Sequence, residues 1–329
     1  MCGVAGYFGS EKIETNKINK TLNLMKFRGP DNKEVKQIKV SQKTLYFLHS
    51  RLSIIDLDPR SNQPFESDDL IVIFNGEIYN YLEIKKDLKK KGEKFRTNSD
   101  TEVLLKAYKI YGFECVNHFE GMWGFAIYDK KKKILFLSRD RFGEKPLFYL
   151  KKNSNLYFGS EVGFIKSLYQ NNLKINYDKI RDFLNYGYKS LKKNKNFFFE
   201  DIKEVEPGSN LLVNIDGYIR KSKYWEPKLK STNKLNEKDI INLSKNILID
   251  SIKKTTRSDV PIAFTLSGGI DSASLVSIAT KKLNLKFKTY SRIDDDKRYD
   301  ERNNINTVVN DINCENRQVK IKSKNNFEN

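Results

Sequence analysis

Between residues 228 and 236 the chain loses its apolar periodicity, and the patterns on the two sides of that stretch differ in kind. A chain of 329 residues also exceeds the length over which one hydrophobic core usually keeps growing. Two domains are therefore expected, over 1–227 and 237–329, with a linker at 228–236. Ahead of the linker, short apolar runs alternate with turn residues. Residues 3–8, 45–48 and 70–74 read as buried strands, the last ending at the turn dipeptide Asn75-Gly76. Residues 18–25, 81–91 and 100–111 carry helical spacing. The last of these places Val103, Leu104, Ala107, Tyr108 and Tyr111 on one face, with Ser99 or Asp100 as N-cap. Residues 125–128 with 134–138, and 147–150 with 155–159, read as hairpins. Asp216-Gly217 turns a further pair within 208–219. Strand-rich stretches around a few helices predict an α+β domain, with sheets packed on each other and helices outside.

Beyond the linker, Ile240, Leu243, Ile247, Leu248 and Ile252 mark one face of an amphipathic helix. A short buried strand at 261–266 then meets Ser267-Gly268-Gly269-Ile270-Asp271-Ser272. A helix over 273–283 and a strand over 286–291 follow. Strand, glycine loop, helix, strand is the opening of a parallel α/β sheet. About one and a half such units are expected before Asn329, too little for a doubly wound domain.

Composition narrows the function classes. The formal net charge is +19, but the cations are mostly lysines spread along the chain, as at 85–91, 130–133 and 192–195. Arginine, the usual reader of phosphates and base edges, is sparse. A solvated lysine-rich surface is the expectation, with neither nucleic acid nor membrane as partner. Three cysteines without a CxxC pair and only two histidines argue against a disulfide framework, a zinc site and a histidine metal centre. No apolar run reaches the ~18–20 residues of a membrane span. The amino end lacks the build of a signal peptide, so a cytoplasmic location is expected.

Cys2 is the first candidate nucleophile. Removal of Met1 would leave a cysteine whose own α-amine, with a pKa of about 8, suits a general base near neutrality. By itself a cysteine at position 2 says little. Its neighbourhood says more. MCGVAGYFG (1–9) is followed by RGPD (28–31), LHSRLSIIDL (48–57), QPF (63–65), IFNGEIYNY (73–81), NSDTEVLLKAY (98–108), FEGMWGFAIYD (119–129), SRDRFGEKPLFY (138–149) and FGSE (158–161). In this order the blocks resemble the class II glutaminase domain of asparagine synthetases, across nearly all of residues 2–165.

Chemistry accounts for the residue types. Attack of a sulfur on a carboxamide creates an oxyanion that needs preorganised donors, and Asn75 with the Gly76 N–H suits that task. Arg51 is expected to grip the α-carboxylate of glutamine as a two-pronged donor. Glu77 and Asp100 are expected to pair with the α-ammonium. The resemblance implies these roles, with backbone groups of Leu52, Ser53, Ile54 and Ile55 completing the pocket. Arg139, Asp140, Arg141 and Lys145 either shape an inter-domain face and ammonia route or form a charged turn. Gly163 stands where many relatives carry lysine.

Glycines between a strand end and a helix start allow backbone N–H groups to wrap an anion. SDVPIAFTLSGGIDSAS (258–274) resembles the PP-loop of ATP pyrophosphatases as found in asparagine synthetases. The resemblance implies ATP held by Leu266, Ser267, Gly268, Gly269, Asp271, Ser272 and Arg292, with Mg2+ on Asp271. Arg292 replaces a small apolar residue in the strand that touches adenine, whereas Tyr299-Asp300-Glu301 matches the block that follows. A second, SGEGxDE-like motif does not occur.

The fold expected is thus a four-layer αββα sandwich of the N-terminal-nucleophile type, followed by the start of a parallel PP-loop domain. The activity expected is glutamine hydrolysis through a Cys2 thioester. In the family this is coupled to asparagine formation from aspartate and ATP through an adenylated intermediate, with the synthetase half incomplete here. A homodimer, or a separate chain completing the synthetase half, is part of that expectation. Three rivals are an amidotransferase acting on another carboxylate such as a sugar acid, a purine-type amidotransferase, and a non-catalytic basic binding protein. A degenerate fragment that folds poorly is the fourth. SGGIDS argues against the purine type.

Overall fold

The computed structural model describes residues 1–169, 171–190, 197–228 and 235–320. The chain divides into two compact units, Met1–Lys228 and Leu229–Asn329. Most of the expected linker, and the lysine run at 192–195, lie outside the described residues.

In the first unit the strands are β1 (Gly3–Gly9), β2 (Asn32–Val40), β3 (Lys43–Arg51), β4 (Phe65–Ser67), β5 (Leu70–Ile78), β6 (Gly121–Asp129), β7 (Ile134–Arg139), β8 (Phe148–Lys152), β9 (Asn155–Gly159), β10 (Ile202–Glu204), β11 (Ser209–Val213) and β12 (Ile219–Lys223). The helices are α1 (Thr15–Met25), α2 (Tyr81–Lys90), α3 (Asp100–Tyr111), α4 (Val162–Leu168) and α5 (Tyr177–Tyr186). Two antiparallel sheets form, in the orders β10-β8-β9-β1-β3-β2 and β12-β11-β7-β6-β5-β4.

Alternation along the strands sorts side chains into layers. Val4 and Phe8 of β1 join Ile71 and Ile73 of β5 and Leu135 and Leu137 of β7 in the core between the sheets. The intervening residues Ala5 and Tyr7 face the other way and meet Ile18 and Met25 of α1 and Phe164, Ile165 and Leu168 of α4. On the second sheet, Val72 and Phe74 pack outward against Ile84 and Leu88 of α2 and Val103, Leu104 and Ala107 of α3. The four layers are helix, sheet, sheet, helix, as expected.

One strand departs from its expected course. β5 does not end at Asn75-Gly76. It continues to Ile78, with Asn75 opposite Gly124 and Gly76 opposite Trp123 of β6. A Cβ at Gly76 would lie 2.1 Å from the Met122 carbonyl oxygen. Glycine is needed there for close approach of two strands, not for a turn.

The second unit is built from α6 (Glu237–Thr255), β13 (Ala263–Thr265), α7 (Ile270–Lys281), β14 (Lys288–Ile293), α8 (Arg302–Ile312) and β15 (Glu315–Lys320). The strands pair in parallel in the order β13-β14-β15. Two strand–helix–strand units are therefore present, where one and a half were expected. The polar α8 and β15 escaped the apolar pattern. α7 also starts at Ile270, three residues earlier than expected, so Asp271 and Ser272 stand in its first turn. No helix among the described residues is long and apolar enough to cross a membrane.

Candidate active site

The antiparallel register of β1 and β3, with Gly3 opposite Ser50, carries Cys2 to the end of β3. There the Cys2 Sγ lies 3.4 Å from the Leu52 N–H, which donates to it. The amino end is fixed from behind, since Arg28 Nε donates to the Cys2 carbonyl at 2.9 Å and Arg28 also pairs with Glu161.

Loop 52–58 is shaped by side chains drawn from several elements. Asp31 accepts the Ser53 N–H at 2.7 Å, and the Asp31 N–H donates to the Arg51 carbonyl. Asp56, at φ +52, accepts the Asn98 N–H at 2.7 Å. Arg51 is buried, and its guanidinium donates to the carbonyls of Ile55, Asp56 and Asp58 and to Asn62 Oδ1. Its terminal nitrogens thus hold the loop, where sequence reasoning had both prongs reserved for substrate. It still borders the pocket with its charge.

Cys2, Arg51, Leu52, Ile54, Ile55, Asn75, Gly76, Glu77 and Asp100 all line one pocket. Of the expected glutamine-site residues only Ser53 does not; its N–H is turned to Asp31. Met1, Gln63, Phe74, Ser99, Thr101 and Lys145 complete the wall. Met1 stands in the pocket, and the free space is about 50 Å³.

The electrostatics follow from burial. Asn75 is 1% exposed, and neither its Oδ1 nor its Nδ2 has a partner among the described residues. A buried amide left so costs stability, which marks it as a donor held ready. Burial pushes the Cys2 thiol up and the amino terminus down. The Asp100 carboxyl is raised to about 7, first by burial and then by Glu77, although the Ile78 N–H donates to it at 3.1 Å. Burial also raises Glu77. A cation placed beside these two carboxyls would favour their ionised forms against burial. Ser99, not Asp100, caps α3 through its Oγ.

Sequence reasoning missed three supports. Gln63 Oε1 accepts the Phe74 N–H at 2.6 Å, steadying the strand just before Asn75. His49 Nε2 meets the Phe74 carbonyl at 3.1 Å. Burial drives that imidazole down to about 3, so it is neutral and donates. Their blocks, QPF and LHSR, were visible, but nothing local says that they face Phe74. The third is the clamp on loop 140–145. Buried Asp140 accepts the N–H groups of Trp123, Phe142, Glu144 and Lys145, and Arg139 binds the carbonyls of Gly143, Lys145 and Val205. These bonds make the charged segment a closed turn. Gly163 has open space around it.

In the second unit, Gly268 at φ +69 bends the chain between β13 and α7. Ser272 Oγ binds the Gly269 carbonyl and accepts the Ser267 N–H, which closes the loop on itself. Gly269 is the N-cap of α7, and the N–H groups of its first turn suit an anion. Leu266, Ser267 and Arg292 line a wide adjoining cleft of about 880 Å³ with Tyr290 and Tyr299. Gly268, Gly269, Asp271 and Ser272 lie outside that cleft's wall. Arg292 pairs with Asp294 at 3.3 Å. Asp271 is exposed, and no cluster of three or more metal-binding side chains occurs among the described residues. A lone carboxylate fits Mg2+ only in the manner where phosphate oxygens supply the remaining ligands.

Comparison with known proteins agrees with this geometry. The family model described as glutamine amidotransferase domain matches residues 1–225, and that described as asparagine synthase matches 244–328. A Methanocaldococcus jannaschii protein named for glutamine-hydrolysing asparagine synthesis is 36% identical over 334 residues, covering 94% of this chain and 62% of its own length. Asparagine synthetase (glutamine-hydrolysing) 1 of Bacillus subtilis is 35% identical over 300 residues, covering 88% of this chain and 45% of its own. The chain thus spans about half the length of these relatives. The solved glutamine phosphoribosylpyrophosphate amidotransferase of B. subtilis, complexed with ADP and GMP, superposes with a TM-score of 0.51 at 14% identity. That match covers 97% of this chain and 81% of that one. At such identity it speaks for the fold alone, and the asparagine synthase match sets the purine-type rival aside. With a model match over more than half its length, the chain belongs to the glutamine amidotransferase domain family, and part of an asparagine synthase domain follows in the same polypeptide.

Proposed function

We propose that the Met1–Lys228 unit hydrolyses glutamine to glutamate and ammonia, with Cys2 as nucleophile after removal of Met1. The observation that carries this reading is the buried, partnerless amide of Asn75 in the same pocket as the Cys2 sulfur. The α-amine of Cys2 takes the thiol proton, and the sulfur adds to the side-chain amide carbon of glutamine. Negative charge gathers on the former carbonyl oxygen, where Asn75 Nδ2 and the Gly76 N–H receive it. Collapse breaks the C–N bond, and the amine returns its proton to the departing ammonia. Water then adds to the thioester carbon, releasing glutamate and restoring the thiol. Glu77 and Asp100 hold the substrate ammonium. Arg51 supplies positive charge for the carboxylate and, through the carbonyls it binds, the shape of the wall.

The ammonia is destined for a carboxylate acceptor, aspartate being the one whose amidation would give the asparagine in the relatives' names. ATP, as the activator of that carboxylate, would lie against the 267–272 loop, with Asp271 toward its Mg2+. Leu266 and Arg292 would border the nucleotide, and Ser267, Gly268, Gly269 and Ser272 would face the phosphates.

The test is glutamate release from glutamine by the purified chain beside Cys2→Ala, with mass spectrometry to verify loss of Met1. The expected outcome is turnover in the first and background in the second. Equal rates in both would remove Cys2 from the chemistry.

A further inference from the structure

The pocket contains a cation that the hydrolytic scheme leaves unused. Lys145 is 6% exposed and reaches the wall shared by Met1, Cys2 and Glu77. Its backbone is held on both sides, the N–H by Asp140 Oδ2 at 3.0 Å and the carbonyl by Arg139 Nε at 2.8 Å. Among the described residues the ammonium meets only a weak acceptor, the Met1 Sδ at 3.1 Å, which leaves with Met1 on processing. A buried ammonium without a close carboxylate is costly, and two buried side chains are spent on keeping it there.

We propose that Lys145 is a positioning residue of the glutaminase site, whose fixed positive charge keeps the α-amine at the amino end neutral and Glu77 ionised. This rests on the reading of Cys2 as the terminal nucleophile. An amine serves as base only when unprotonated, and a neighbouring cation disfavours its protonated form. The same cation favours the carboxylate that is to meet the substrate ammonium. Burial opposes the charge on Lys145 and lowers its pKa, as does Arg28 from the segment after α1, while Glu77 from β5, Glu144 from its own loop and Cys2 favour the ammonium. The charged groups around the amine of Met1, one residue ahead of the amine that processing would free on Cys2, are Cys2, Arg28, Lys145 and Asp31. Arg28 is the other cation near the amine, but it is committed to Glu161 and the Cys2 carbonyl. Lys145 has no such partner among the described residues.

The experiment compares kcat/KM for glutamine hydrolysis against pH in the full chain, Lys145→Met, Lys145→Gln, Lys145→Arg and Cys2→Ala. Only preparations shown by mass spectrometry to lack Met1 are used. The acidic limb is expected to move to higher pH by about one unit in Lys145→Met and Lys145→Gln. Lys145→Arg, which keeps the charge, is expected to follow the parent profile. The glutamine variant supplies the comparison if the methionine variant does not fold. Coincident limbs in parent and neutral variants, or an arginine variant that shifts as far as they do, overturns the proposal. Activity of Cys2→Ala equal to the parent marks a failure of the underlying nucleophile reading instead.

Discussion

Asp100 is a carboxyl group placed where ionisation is opposed, buried at the start of α3 with Glu77 nearby. Its folded value of about 7 lies above the ordinary 3.8, so the folded chain holds this proton more tightly than the unfolded one. The resulting stability is present in full below the unfolded value and is lost as pH rises through about 7. The substrate ammonium favours the ionised form, so KM for glutamine is expected to fall as pH climbs through the same window. Asp100→Asn keeps an oxygen for the Ile78 N–H and removes the charge. Its melting temperature is expected to exceed the parent's above neutrality and to match it in acid. kcat/KM is expected to drop about 10- to 100-fold, the worth of one charged hydrogen bond. Calorimetry at two pH values and a substrate titration check both halves. An unchanged KM would mean that the ammonium is held elsewhere.

At the scale of elements, the clamp on loop 140–145 decides where Lys145 and the end of β7 stand. Asp140 is fully buried and accepts four backbone N–H groups. Asp140→Ala leaves those donors without partners, at about 1–3 kcal/mol each before relaxation. A loss of about 3 kcal/mol or more is expected by denaturant titration, with glutaminase activity falling alongside. A stable, active variant would show that the loop is held by other means. The same region shows what the sequence could and could not tell. Strands such as β1 were legible because Val4 and Phe8 alternate with Ala5 and Tyr7, and both sheet faces are covered. β2 was not, because an edge strand reading NKEVKQIKV is charged toward solvent and carries no apolar signature. The Asn75-Gly76 pair misled for a physical reason. Local turn propensity was outweighed by nine paired positions between β5 and β6. For the site, the resemblance carried by the blocks around 2, 75, 77 and 100 pointed to residues that the structure gathers in one pocket. That Arg51 would bind its own loop depends on where the chain turns at 55–58, which no local pattern encodes.

For the molecule as a whole, the contrast between its two cores carries the next consequence. The Met1–Lys228 unit has three buried apolar clusters, anchored by side chains such as Trp123, Phe47 and Tyr157. The core of Leu229–Asn329 is gathered around Leu266, Val276, Ile305 and Ile312. On α6, Ile240 is 41% exposed, Leu243 51% and Ile247 60%, so the apolar face read from the sequence is real but largely uncovered among the described residues. Each of these half-covered aliphatic side chains forgoes part of the about 1.5–3 kcal/mol that full burial contributes, which leaves the small parallel sheet marginal. Heating is therefore expected to melt the C-terminal unit first, as a separate low-temperature transition. Glutamine hydrolysis, which draws every proposed residue from the first unit, is expected to survive that transition and be lost only at the second. Calorimetry with activity measured after brief incubation between the two transitions is the check. A single cooperative transition, with activity lost along it, would show that the glutaminase unit depends on the segment beyond Lys228 for its stability.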